Sequence, residues 1–474
     1  MPGLGFDDWL VMGVVLALFF EAPDQALWAY HGIPIPNPTF VLIGMVVIGR
    51  AAFLALRGSF DLSKPNWREW TIIGLFAAYA VTSVLAALLG HSTQPAGKPL
   101  VLVSHLGQSI KTFVYFAFLG LMTLILGRLL TPALLRRAFV TFFVLAVAAA
   151  VVACLQALDL NVLHTGASDA LHLVYRDSFQ AYLRPCSIFS EPALLGYYML
   201  LGIVVGLWLA NESRSRWIWW IWVGIGLCVV AALLGAAAGP AAVFFVGFLY
   251  LLWRAWSLLR RSWLELAIIA VAAAVVLVIV PVGSTLSQRA TGTVKAVGGP
   301  GGSNSGGSNS GGSNSGPDLA AVAAVDQAQF RLEFDKASLK TWELSPLAGV
   351  GLGNTRYYNA ALIHLPYPTD NLPFQNVNTY LGTLAESGVF GFLLLATMML
   401  ALVIPLRSVR REGAWVTEAP ILLFIVAFFV ANLYAYPIFW FFVSARLAQL
   451  RHLEALELRE TTYERAGVRE PQTA

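Results

Sequence analysis

The sequence predicts an all-α, polytopic integral membrane protein of about twelve transmembrane helices with one large extracytoplasmic loop. Three observations carry that prediction. The 474 residues are 58% hydrophobic and only 12% charged, with a mean hydropathy of +0.70, too apolar for a soluble globular protein. The apolar residues gather into runs of about 20, the length a helix needs to cross a bilayer. The Lys and Arg residues between the runs fall in alternate loops, as they do when basic loops stay on the cytoplasmic side.

Taken in order, the runs lie at roughly 6–22, 38–56, 70–90, 106–127, 138–159, 190–210, 217–235, 239–256, 263–281, 377–405, 418–436 and 437–453. Residues 1–281 then hold the first nine spans, 282–376 form the extracytoplasmic loop, 377–453 hold the last three spans, and 454–474 are a cytoplasmic tail. The first run lacks a basic flank and a small-residue cleavage site, so it reads as a retained span. Basic clusters mark one set of loops: Arg57, Lys64 and Arg68; Arg128, Arg136 and Arg137; Arg214 and Arg216; Arg254, Arg260 and Arg261; Arg407, Arg410 and Arg411; and the tail from Arg446 to Arg469. Both termini are therefore expected in the cytoplasm. The net charge of +4 reflects this sidedness and gives no reason to invoke nucleic acid. Cys154, Cys186 and Cys228 are odd in number and form no Cys-x-x-Cys pair, so neither a disulfide nor a metal site is expected.

The polar residues along the chain divide into connectors and candidates. Loops 21–37 and 91–105 read as connectors. Arg50 lies near the cytoplasmic end of the second span, where its side chain can snorkel to the headgroups. The third outward loop ends in Arg184-Pro185-Cys186-Ser187-Ile188-Phe189-Ser190-Glu191-Pro192, which admits two readings. One is a capped helix start, with Ser190 as N-cap, Glu191 favoured by the helix dipole and Pro192 in the first turn. The other has Arg184 binding phosphate and Glu191 acting as a base. Trp217, Trp219, Trp220 and Trp222 form an interfacial belt.

Residues 301–315 repeat Gly-Gly-Ser-Asn-Ser three times, a flexible linker that buries no core. A helix is expected after Pro317-Asp318, with Phe330, Phe334 and Ala337 on one face and Arg331, Asp335 and Lys336 elsewhere. Arg331 and Asp335 are four apart, the spacing of a surface ion pair. Ser345-Pro346 and Gly349-Val350-Gly351-Leu352-Gly353-Asn354 then break the helix and allow positive φ and a close backbone approach. Without a preceding strand or a following Gly-Lys-Ser/Thr, this run is no nucleotide-binding loop. What remains is a membrane-facing pocket in which Arg184, Arg331 and Arg356 lie outward. Arginine forks match phosphate oxygens, so the expected ligand is a lipid-linked anion.

Three pieces resemble the bacterial O-antigen ligases and the related O-antigen and exopolysaccharide polymerases, over roughly 184–406. Arg184 to Pro192 resembles the family's Arg-Ser-Phe-Pro segment; Arg331 through Pro346 to Asn354 resembles its Arg, Pro, Gly-x-Gly-x-Gly run. Asn378, Gly388 and Gly391 fit its pattern of His, then Asn, Ser or Gln, nine residues, Gly, two residues, Gly. Where ligases carry the His, this chain has Val377, which turns the resemblance toward the polymerase branch.

The resemblance implies glycosyl transfer in the bacterial inner membrane, from an undecaprenyl-diphosphate-linked glycan to a second lipid-linked glycan on the extracytoplasmic side, with no metal or cofactor. Membrane lipids, a flippase and a chain-length regulator are the candidate partners. Arg184 and Arg331 are the expected stabilisers of the leaving diphosphate. Glu191 is the first candidate base, with His364 and Glu386 behind it. Arg356, Asn376, Asn378, Tyr380 and His364 are candidate substrate contacts, and Trp342, Tyr357, Tyr358 and Tyr380 candidate sugar platforms. The alternatives are a ligase acting on lipid A core, and a flippase for the same glycan. A flippase would favour internal repeats and charge at mid-membrane, and the sequence has no obvious repeat.

Overall fold

The computed structural model of the chain describes residues 5–19, 38–60, 65–88, 105–159, 174–176, 183–185, 187–189, 192–213, 218–235, 319–362, 378–404, 415–429 and 436–465, with parts of 243–271. The helices are α1 (Phe6–Ala17), α2 (Pro38–Leu56), α3 (Trp67–Leu88), α4 (His105–Leu129), α5 (Pro132–Leu158), α6 (Pro192–Glu212), α7 (Ile218–Leu234), α8 (Leu319–Leu344), α9 (Thr355–Leu362), α10 (Thr379–Val403), α11 (Trp415–Ala427) and α12 (Pro437–Arg465). Among the described residues, six contain stretches long and apolar enough to cross a membrane: Thr39–Leu56, Trp67–Ala86, Thr112–Leu129, Pro132–Leu158, Ala193–Glu212 and Thr379–Val403. Ile218–Leu234 and Trp415–Ala427 are shorter apolar helices. The chain is thus a helical, polytopic membrane protein. The eighth and ninth expected spans fall largely outside the described residues, as does the 301–315 linker.

The structure departs from the expected pattern in three places. Val174–Arg176 (β1) and Leu183–Pro185 (β2) pair antiparallel, Tyr175 opposite Arg184, a local pairing that leaves the all-α class intact. At three residues each, the strands carry no alternating pattern long enough to read. Helix α5 begins at Pro132 instead of residue 138, because Thr131 caps it by accepting from Leu134 N at 3.3 Å and Pro132 suits the first turn. Helix α12 runs on to Arg465 through residues 451–465, which are rich in Leu, Glu and Arg, strong helix formers that prolong it beyond the apolar run.

The packing has two centres that share α12. Helix α3 lies along α10, and α12 along α4; α5, α6 and α7 pack together, with α1 against α5. Almost every side chain of α6 is buried, as expected of a helix apolar on all sides. Aromatic rings join the two centres: Phe442 of α12 meets Phe139, Phe142 and Phe424, with Trp440 against Phe76 of α3.

The helix ends sort into two faces. At one, Arg50 forks onto Asp7 at 2.7 and 3.0 Å, Arg137 pairs with Asp8, and Arg128 forks onto Glu69 at 3.1 and 3.0 Å. Arg50 is thus held by a carboxylate at the start of α1, with Phe6 and Phe53 beside its guanidinium, where the sequence suggested headgroups. Two buried arginines close the end of α10: Arg68 Nε donates to Ala401 O at 3.1 Å and Arg446 Nε to Leu402 O at 2.8 Å. These are last-turn carbonyls, and cations there also complement the helix dipole. Glu454 pairs with Arg68, and Glu418 lies 3.6 Å from Arg446. Removing one partner of such a buried pair typically costs about 3–5 kcal/mol.

Candidate active site

The opposite face holds both segments singled out in the sequence. Alternating helix directions place them there together, since α3 and α5 leave the charged face, while α4 and α10 arrive at it.

The first segment, 183–192, hangs from the end of α5. Gln156, buried near that end, grips Ser187 twice: its carboxamide oxygen accepts from Ser187 N at 2.8 Å and its amide donates to Ser187 O at 3.2 Å. The Ser187 hydroxyl donates to Ala149 O at 2.7 Å. These bonds hold Ser187 at φ 56°, a left-handed conformation costly for a residue with a Cβ. Phe189 is buried against Phe19 and Tyr198. Arg184 is described in its backbone, within β2. Pro192 opens α6 as expected, while Glu191 lies outside the described residues.

The second segment begins on α8, where Phe334, Ala337, Ser338 and Thr341 are buried and Arg331, Lys336 and Lys340 exposed. Arg331 lies close enough to Asp335 to stabilise its carboxylate, yet the half-burial of Asp335 outweighs this and holds its carboxyl above the usual range. After Leu344 the chain turns through Gly349, Gly351 and Gly353, at φ 70°, 95° and 75°. The sequence predicted positive φ here and a close approach; what is approached is the backbone of α10.

Helix α10 is broken at Gly388, with φ 65° and ψ −167°. In a regular helix Val389 N would donate to Ala385 O and Phe390 N to Glu386 O. Instead Val389 N donates to Pro346 O at 3.0 Å, while Ala385 O accepts from Val350 N and Glu386 O from Gly351 N, both at 2.9 Å. The loop supplies the partners that the break removes. Trp342, a candidate sugar platform, donates its Nε1 to the same Pro346 carbonyl at 3.0 Å.

Polar side chains from two further helices secure this loop. Ser83 Oγ accepts from Leu352 N at 3.3 Å, and Asn354 Nδ2 donates to Ser109 Oγ at 3.0 Å and to Val350 O at 2.9 Å. Thr355, 1% exposed at the start of α9, donates to Glu386 Oε1 at 2.6 Å. Arg356 is the next residue of α9, described in its backbone. Tyr358 is buried, which pushes its phenol above the usual value.

Of the remaining candidates, Asn378 is the N-cap of α10: its Oδ1 accepts from Tyr380 N at 3.0 Å and Leu381 N at 3.2 Å. Tyr380 donates its hydroxyl to Ile425 O at 2.9 Å, and its ring meets Phe392, Phe428 and Phe429. His364, Asn376 and Val377, with the side chain of Tyr357, lie outside the described residues. Sequence reasoning missed Gln156, Ser187, Ser83, Ser109 and Thr355. For Gln156, Ser83 and Ser109 the signal was a polar residue inside an apolar run, which in a membrane protein marks an internal contact; Ser187 and Thr355, outside those runs, carried none.

Residues 227–396 match the family Wzy_C, O-antigen ligase. That match, over about a third of the chain, supports a place in the O-antigen ligase and polymerase superfamily. The match takes in Arg331, the glycine loop and the α10 break, and ends before it reaches back to Arg184. No curated protein matches the chain. The family match supports activity of the O-antigen ligase and polymerase type in general, a family whose substrates are lipid-linked glycans.

Proposed function

We propose that this protein is a polysaccharide polymerase, transferring a glycan from undecaprenyl diphosphate to another lipid-linked glycan on the extracytoplasmic side. Val377 carries that reading. It stands where the ligase pattern has the His thought to assist acceptor attack, and valine can neither accept a proton nor orient a hydroxyl.

In the proposed reaction the acceptor hydroxyl oxygen attacks the anomeric carbon of the donor, the bond from that carbon to the diphosphate oxygen breaks, and the hydroxyl proton passes to Glu191. Charge develops on the leaving diphosphate. Arg184 and Arg331 stabilise it, a role that guanidinium forks perform without a metal. Arg356, Asn376, Asn378, Tyr380 and His364 hold the glycans. Asn378 contributes its amide donors, since its oxygen is committed to the cap, and Tyr380 positions that cap by packing on α11. The break in α10 supports this reading, because irregular backbone at a membrane-facing site is tolerated where other protein satisfies it.

The test is the state of the lipid carrier in a deletion strain. A polymerase loss leaves single repeat units on the carrier; long unattached chains would instead establish a ligase. Complementation with Arg184→Ala or Arg331→Ala should lower polymer by at least about 100-fold, as removal of a transition-state donor does, with Lys a poor rescue. Near-normal polymer from both would remove the arginines from the mechanism.

A further inference from the structure

Resting on the glycosyl-transfer reading above, we propose that Glu386 is a positioning residue, holding through Thr355 the helix that bears Arg356. Glu386 touches both ends of the segment 351–355. Its main-chain carbonyl accepts from Gly351 N at 2.9 Å, and its side chain accepts from Thr355 Oγ1 at 2.6 Å. Between these points Asn354, 2% exposed, ties the segment to α4 through Ser109. Helix α9 has only eight residues, too short to be stable by its own hydrogen bonds. Its orientation is therefore set by its packing on α8 and by what grips its first turn. The Thr355 bond is charge-assisted and short, the strong class of hydrogen bond, and it lies one residue before Arg356. The residue that takes this bond sits two positions before the Gly388 break, on the stretch of α10 that the glycine loop already holds. Glu386 thus links the broken helix, the glycine loop and the backbone of Arg356. The bond commits one carboxylate oxygen to a protein hydroxyl, an arrangement that suits holding a structure better than taking a substrate proton.

The test uses the full-length protein in membranes, with an undecaprenyl-diphosphate-linked glycan as donor probe. Glu386→Gln keeps a carbonyl oxygen for Thr355, and Thr355→Ser keeps the hydroxyl, so both should hold the donor KM within about threefold of wild type. Glu386→Ala and Thr355→Val should each raise the donor KM about tenfold, the worth of one charge-assisted hydrogen bond. Turnover should change little, as when ground-state binding is lost. The double variant should be no worse than either single, because both remove the same contact. Lost turnover in Glu386→Gln with near-normal Thr355→Val would overturn the proposal and make Glu386 the base. Hydrogen exchange of the 355–362 amides gives a readout independent of activity. It should quicken in Glu386→Ala and Thr355→Val and stay slow in Glu386→Gln; unchanged exchange in the first two overturns the proposal, whatever product the protein makes. If Glu386→Ala fails to reach the membrane, Thr355→Val against Thr355→Ser carries the same comparison. Failure of the polymerase reading is scored separately, on whether the wild type extends the lipid-linked probe.

Discussion

Gly388 is the residue on which the interlock of loop and helix depends. A Cβ there would lie 2.1 Å from Leu347 O, and one at Gly349 would lie 2.3 Å from the Glu386 carbonyl carbon. Neither neighbour is a side-chain tip that can swing aside, and both glycines hold positive φ. Gly388→Ala is therefore expected to cost more than about 3 kcal/mol, combining a backbone clash with the strain of a φ/ψ region, 65° and −167°, that is essentially confined to glycine and costs about 1–3 kcal/mol. Thermal unfolding of the detergent-solubilised protein checks it: a Tm near the wild-type value would mean that the loop can withdraw without loss. The spacing of these glycines was legible in the sequence, and at Gly349, though not at Gly388, so was the positive φ. Their partner was not, because what they meet is main chain, and main-chain groups carry no residue-specific signature. Ser187 was illegible for a related reason. Its strain is held by groups distant in sequence, Gln156 from both sides and the Ala149 carbonyl at its hydroxyl.

At the scale of elements, α8 and α10 differ in how openly they declare themselves. The buried face of α8 follows from the spacing of Phe334, Ala337 and Thr341, and the exposed face from its charges. The break in α10 interrupts a run that reads as one apolar helix, with Gly388 as its only mark. Between the two extremes stands Asp335, on the flank of α8. Burial raises its carboxyl above the ordinary range against the pull of Arg331. A carboxyl raised on folding binds its proton more tightly in the folded chain. The packing of α8 is then firmest at pH below the ordinary carboxylate value, weakens as pH rises through the raised one, and is level above it. Asp335→Asn removes that penalty. Protection of the 331–344 amides, measured relative to the intrinsic exchange rate at each pH, is expected to rise near neutral pH in this variant and to become level across the acid range; lower protection would mean that the attraction of Arg331 outweighs burial.

For the whole molecule, the decisive feature is that the charged ends and the candidate site occupy opposite faces. Alternation of basic loops was legible in the sequence, whereas the way those residues are used was not: Arg50, Arg68, Arg128 and Arg446 form ion pairs inside the protein, and two of them close the end of α10. Pairing does not cancel the sidedness, since the arginines remain in excess at that face, as expected of the cytoplasmic side. The proposed polymerase requires the glycine loop, the α10 break and segment 183–192 at the extracytoplasmic end, where a lipid-linked donor would meet its acceptor. The orientation is open to direct measurement in a variant whose three native cysteines are replaced. A single cysteine introduced as Ser308→Cys should react with a membrane-impermeant maleimide in intact spheroplasts, and one introduced as Thr473→Cys only after permeabilisation. The reverse pattern would place the candidate site in the cytoplasm, on the wrong side for the proposed polymerase, and would require the arginine-rich face to be stable outside despite its charge.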